Sequence, residues 1–251
     1  MYTNRYNLGE KTHIWNPWRG CFKVSEACAN CYVLPENTFE DCYYPFPHGN
    51  VKPGTVITVG LRSDFFLEQA DKYREAAWDV IRSHPDLIFL IITKRVDRVA
   101  QCLPKDWGDG WSNVIIDVTA ENQLRADERI PILLNLPLKH RWVACSPLLE
   151  HIDLSSYLKT GLIEAVEALG EKAYVKPARP IKYEWVESLK KQCESYDVRF
   201  NLLYVGHNFI MPDQSVIADN CTCYHSLLAD SLNLDYYRPL IFNLENLDIT
   251  Y

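Results

Sequence analysis

Residues 87–92 read Leu-Ile-Phe-Leu-Ile-Ile, six apolar side chains in a row. A half-buried strand alternates apolar and polar residues. This run does not, so it predicts a strand covered on both faces, the setting of a parallel sheet flanked by helices. Upstream, 55–60 (TVITVG) is a β-branched run, and 66–83 carries Leu67, Ala70, Tyr73, Ala77, Val80 and Ile81 at helical spacing. Downstream, a helix at 95–102 leads to a strand at 113–118, a helix at 122–136 and a strand at 141–145. A short turn of helix at 155–159, a strand at 162–168, an amphipathic helix at 182–196 and a strand at 198–205 complete the series. A further strand is expected near Ile14.

Strands alternating with helices imply βαβ units and a mainly parallel sheet. A full or partial (β/α) barrel of six to eight units fits this α/β pattern. A doubly wound sheet fits it equally, although no dinucleotide glycine fingerprint and no P-loop is present. Residues 207–251 carry a weaker pattern and are expected to be a C-terminal appendage packed on a barrel formed by 1–206.

The chain has 251 residues and a formal charge of −7, which argues against coating nucleic acid by charge alone. A nucleic-acid partner would need a local basic groove. No apolar run is long enough for a membrane span, so no membrane partner is expected. The stretch MYTNRYNLGEKTHIWNPW lacks a secretory profile, and a cytoplasmic setting follows. The nine cysteines are an odd number, which in that setting predicts reduced thiols rather than a disulfide framework. Cys102 and Cys193 on helices and Cys145 in a strand read as core residues.

In parallel α/β folds ligands bind at the carboxyl ends of strands. That rule selects Arg62, Ser63 and Asp64; Thr93, Lys94 and Arg95; Thr119, Glu121 and Asn122; Ser146 and Pro147; and Glu171, Lys172, Lys176 and Arg179. Taken singly, each group is a solvated loop or a helix cap, a role suited to Asp64 and Asn122. Together they form a charged rim suited to a polar small molecule.

Cys21, Cys28 and Cys31 crowd into one loop, with six and then two residues between them. Three thiolates suit a four-iron cluster with one open iron. They equally suit a zinc site completed by His13, Cys42 or His48. Coincidence is the third reading. Cys221-Thr-Cys223 is too tight for a paired zinc knuckle.

The segment Trp15-Asn16-Pro17-Trp18-Arg19-Gly20-Cys21, continuing through Lys23, Val24-Ser25, Cys28 and Asn30-Cys31-Tyr32, resembles a phage-associated family of unknown function that is similar to radical S-adenosylmethionine (SAM) enzymes. The family's signature is WNPWxGCxKVSxxCxNCY. The likeness continues through Ser63-Asp64-Phe65-Phe66, Ile92-Thr93-Lys94-Arg95, Val118 to Gln123, Arg129-Ile130-Pro131, Ser146-Pro147-Leu148-Leu149 and Ala178-Arg179-Pro180. Ser146 stands where the family carries glutamate, and Gly170-Glu171 is what remains of a glycine-rich stretch.

The resemblance implies a radical-SAM-like barrel with a [4Fe-4S] cluster on Cys21, Cys28 and Cys31. SAM would chelate the open iron. A 5′-deoxyadenosyl radical would then abstract hydrogen from a small-molecule or nucleotide substrate, with flavodoxin or ferredoxin as electron donor. Asp64, Lys94, Glu121, Asn122, Glu171 and Arg179 are the expected cofactor contacts, and Trp15, Trp18 and Tyr32 are either the aromatics beside the cluster or plain core and lid residues. The alternative is a non-catalytic or zinc-stabilised binding protein on the same fold.

Overall fold

The computed structural model describes residues 13–31, 33, 38–47, 49, 51–173, 176–217, 228, 230–244 and 247–250. Tyr32, His48, Cys221 and Cys223 lie outside the described residues. Seven strands form one sheet: β1 (His13–Trp15), β2 (Val56–Val59), β3 (Ile88–Thr93), β4 (Val114–Thr119), β5 (His140–Cys145), β6 (Ala165–Leu169) and β7 (Arg199–Tyr204). Five helices interleave with them: α1 (Asp71–Arg82), α2 (Val96–Cys102), α3 (Gln123–Asn135), α4 (Ser155–Leu158) and α5 (Tyr183–Ser195).

Every pairing in this sheet is parallel, and the spatial order of the strands is their chain order. A doubly wound sheet reverses its order at a switch point. This one never does, so the ambiguity left by the local pattern is resolved as a partial (β/α) barrel. The sheet curls into a half-barrel, with β1 and β7 as its two edges. The strand expected at 162–168 starts three residues later, because Gly161 turns the chain at a φ of +68° and Glu164 donates its N–H to the Arg141 carbonyl.

The continuous apolar strands are explained by two cores. On the convex face Ile57, Phe89, Ile91, Ile116, Val118, Val143, Val166 and Phe200 pack against Trp78, Ile81, Val99, Ile130 and Leu189 of the helices. On the concave face Val56, Ile88, Leu90, Ile115, Trp142 and Ala165 form a second cluster with Leu240, Phe242 and Leu244. Leu240, Phe242 and Leu244 thus fill the base of the half-barrel. Tyr236 also exchanges two backbone hydrogen bonds with Phe200 at the β7 edge, each 2.9 Å. With the base closed, the opposite end, where the strands finish, is left to form a cavity. No helix among the described residues is long and apolar enough to cross a membrane.

Candidate functional site

A cavity of about 350 Å³ lies over the carboxyl ends of the strands. Its walls are apolar (Ile14, Leu90, Ile92, Leu169 and Leu203), and Lys94, Glu167 and Glu171 supply charge. Cys21, Cys28 and Cys31 all line it. Cys21 and Cys28 are buried, and Cys31 is half-buried.

The cysteine loop is fastened from several strand ends. Gly20 sits at a φ of +84° and approaches Thr38 so closely that a Cβ would collide with its carbonyl. The Gly20 N–H reaches the Arg62 carbonyl at 2.9 Å, and Ser63 Oγ donates to the Gly20 carbonyl at 2.6 Å. A short 3-10 turn, Glu26–Asn30, carries Cys28. Arg125 donates to both Glu26 oxygens, at 3.1 and 2.8 Å, and its hydrogen bonds hold that carboxyl down at about 2. The bond to Arg125 is therefore in place at neutral pH and is lost only as pH falls through that low value.

Arg179 donates to the Glu26 carbonyl at 3.0 Å and to the Glu171 carboxylate. Asn30 also donates to Glu171, at 2.8 Å. Burial pushes the Glu171 carboxyl up, but the hydrogen bonds from Arg179 and Asn30 outweigh it and hold the group below the usual range. Glu171 reaches this place because Gly170 passes so close to the Val205 carbonyl that no side chain would fit. Arg179→Ala is expected to speed amide hydrogen exchange at residues 26–31 by about tenfold or more, since each charge-assisted bond is worth ~1.5–3 kcal/mol. Unchanged protection would mean that other contacts hold the loop.

The remaining candidates divide. Asp64 is buried and committed: Oδ1 accepts from Phe66 N–H (3.0 Å) and Thr93 Oγ1 (2.8 Å), and Oδ2 from Lys94 N–H (3.0 Å) and Arg95 (3.1 Å). Lys94 reaches into the cavity, where Nζ donates to the Ser146 carbonyl at 3.1 Å. Glu121 and Asn122 do not line the cavity. Glu121 is fully buried against Arg129, at 2.8 Å, and Asn122 caps α3 by accepting from Arg125 N–H, also at 2.8 Å. Trp15 and Trp18 belong to the core, where their indole N–H groups donate to the Tyr44 and Asp64 carbonyls.

Two acids were missed by the strand-end rule because they lie within strands. Asp117 shares the concave face of β4 with Ile115 and Thr119, and Glu167 lines the cavity from β6. The available signal was a lone acid in each of two otherwise apolar runs, VIIDVT and AVEAL. Neither Asp117 oxygen has a hydrogen-bond partner among the described residues. Burial first, then the charge of Glu167, pushes its carboxyl well above the usual range, against the pull of Lys94.

Among the described residues, no three His, Cys, Asp or Glu side chains are arranged around a single-ion site. The three cysteines share a cavity wall rather than one coordination sphere. Cys42, a candidate fourth zinc ligand, is exposed and away from the cavity.

No curated protein and no solved structure matches the chain. Residues 44–217 match a family model described as a protein of unknown function (DUF5131). The match takes in the strand ends from Asp64 to Arg179 and begins beyond the cysteine loop. Because it covers more than two thirds of the 251 residues, the chain belongs to the DUF5131 family of proteins of unknown function.

Proposed function

We propose that this protein is a radical-SAM-like iron–sulfur enzyme. Its Cys21, Cys28 and Cys31 would hold a [4Fe-4S] cluster, and SAM and a small polar or nucleotide substrate would share the cavity above the strand ends. The observation that carries the reading is the placement of all three thiols of one loop on the wall of one cavity, at the end of a parallel half-barrel where ligands bind.

The donor set fits such a group. Thiolates are the usual ligands of iron–sulfur clusters, and a cube presents its irons at separate corners. Its ligands therefore stand further apart than those of a single zinc ion, whose sulfur bonds are ~2.3 Å. Three thiols of one loop on one cavity wall supply the thiolate donors that such a cluster takes. When bound and reduced, such a cluster with SAM supplies cleavage of a carbon–sulfur bond and hydrogen abstraction from a substrate; the hard chemistry is the cofactor's.

The protein's own share is binding, orientation and exclusion of water. Lys94 offers an ammonium to a carboxylate or phosphate at the cavity wall. Glu171 and Arg179 serve by fastening the cysteine loop. Asp64 serves by holding the backbone at Phe66 and Lys94 and the guanidinium of Arg95. The apolar walls keep the interior dry, as an enzyme handling a reactive radical requires.

The test is anaerobic reconstitution with iron and sulfide, then incubation with SAM and a reductant. Formation of 5′-deoxyadenosine by the wild type, and none by Cys28→Ala, is the expected result. A reconstituted protein that leaves SAM intact would overturn the enzymatic reading.

A further inference from the structure

Arg95 sits between a cysteine thiol and a buried carboxylate. One guanidinium nitrogen donates to Cys21 Sγ at 3.2 Å and to Asp64 Oδ2 at 3.1 Å; another donates to the Phe22 carbonyl at 2.7 Å. Both charged side chains are nearly closed to solvent, at 10% and 6% exposure. The arrangement is anchored from below, because Thr93 Oγ1 accepts from the Arg95 backbone N–H at 2.9 Å while donating to Asp64 at 2.8 Å. Burial pushes the Cys21 thiol up, and the Arg95 charge offsets part of that rise. A thiolate formed here by metal binding would keep a charge-assisted hydrogen bond.

We infer that Arg95 is a positioning residue that aims the Cys21 sulfur into the cavity and raises the reduction potential of the cluster it helps to hold, with Asp64 acting as the opposing weight. This rests on the cluster reading above. The physical ground is general. Reduction adds negative charge to a cluster, so a cation donating a hydrogen bond to a ligand sulfur favours the reduced state, and hydrogen bonds to the sulfurs are among the factors that set cluster potentials. Asp64 accepts from the same guanidinium nitrogen that donates to Cys21, and places an anion near the same centre. Removing the cation and removing the anion should therefore move the potential in opposite directions. A merely structural role has no reason to produce that pattern.

The experiment is a redox titration of reconstituted protein followed by electron paramagnetic resonance, with folding checked by circular dichroism. Arg95→Gln is expected to shift the reduction equilibrium about tenfold towards the oxidised cluster, a midpoint about 59 mV more negative for one electron. Arg95→Lys keeps the charge but loses the fork, so it should shift in the same direction by less. Asp64→Asn should shift the other way. Equal midpoints for wild type and Arg95→Gln, or shifts of one sign in Arg95→Gln and Asp64→Asn, would overturn the role of Arg95 while leaving the cluster reading intact. A wild-type protein that takes up no iron–sulfur cluster would instead remove the reading on which the inference rests. Should Asp64→Asn fail to fold, the ranking of wild type, Arg95→Lys and Arg95→Gln decides: midpoints falling in that order support the role, and any other order overturns it.

Discussion

Replacing Arg129 by methionine is expected to cost about 3–5 kcal/mol of folding stability, the range for leaving one member of a buried ion pair unpaired. Glu121 is 0% exposed, and its Oε2 accepts from Arg129 at 2.8 Å. Its other oxygen has no hydrogen-bond partner among the described residues. Arg129 also donates to the Thr119 carbonyl at 2.6 Å, so it ties the end of β4 to α3. The double variant Glu121→Gln/Arg129→Met removes the stranded charge and should recover a large part of the loss. Urea unfolding of the three proteins measures both effects. A loss below ~1 kcal/mol in Arg129→Met, the range of a pair that contributes little, would contradict a purely structural pair and return Glu121 to the list of ligand contacts.

Asp117 offers the opposite expectation. Asp117→Asn should stabilise the protein at pH 8, because the amide never ionises and so escapes the cost of a carboxyl whose burial opposes its charged form. The pH dependence gives the sharper form. The folded carboxyl takes its proton at higher pH than the unfolded one, whose value is ~3.9. Between those two values the folded state binds more protons, so this group's contribution falls as pH rises through the window. Below ~3.9 it is fully present. Asp117→Asn should flatten that slope, and its advantage over wild type should grow from acid towards neutral pH. A variant less stable than wild type at pH 8, with the slope unchanged, would show that the carboxylate is satisfied in its ionised form.

The sheet was legible in the sequence because its strands other than β1 are covered on both faces. Apolar runs such as 88–93 therefore carry their own signal, and the helices between them show a clear apolar side. The choice between half-barrel and doubly wound sheet was not legible. It depends on which side each new strand is added, and no residue within a single βα unit records that. The strand-end rule found Asp64, Lys94 and Glu171, which do line the cavity. It also selected Glu121 and Asn122, because chain position at a strand end does not say which way a side chain turns. Glu121 turns towards Arg129, and Asn122 turns into its own helix. Arg125 and Glu26 are 99 positions apart in the chain, so their bond could be found only after folding. Trp15 and Trp18 read equally as aromatics beside the loop or as core, and they lie in the core cluster that also holds Cys21 and Cys28, since aromatic burial looks the same in sequence for either purpose.

The central claim is that Cys21, Cys28 and Cys31 act together on one inorganic centre. Mössbauer spectroscopy of protein reconstituted with ⁵⁷Fe tests it most directly. The account predicts the spectrum of a four-iron cluster at about four irons per chain, absent from each of Cys21→Ala, Cys28→Ala and Cys31→Ala. Isolated ferric or ferrous iron alone, or a cluster that survives loss of any one of these thiols, would contradict it.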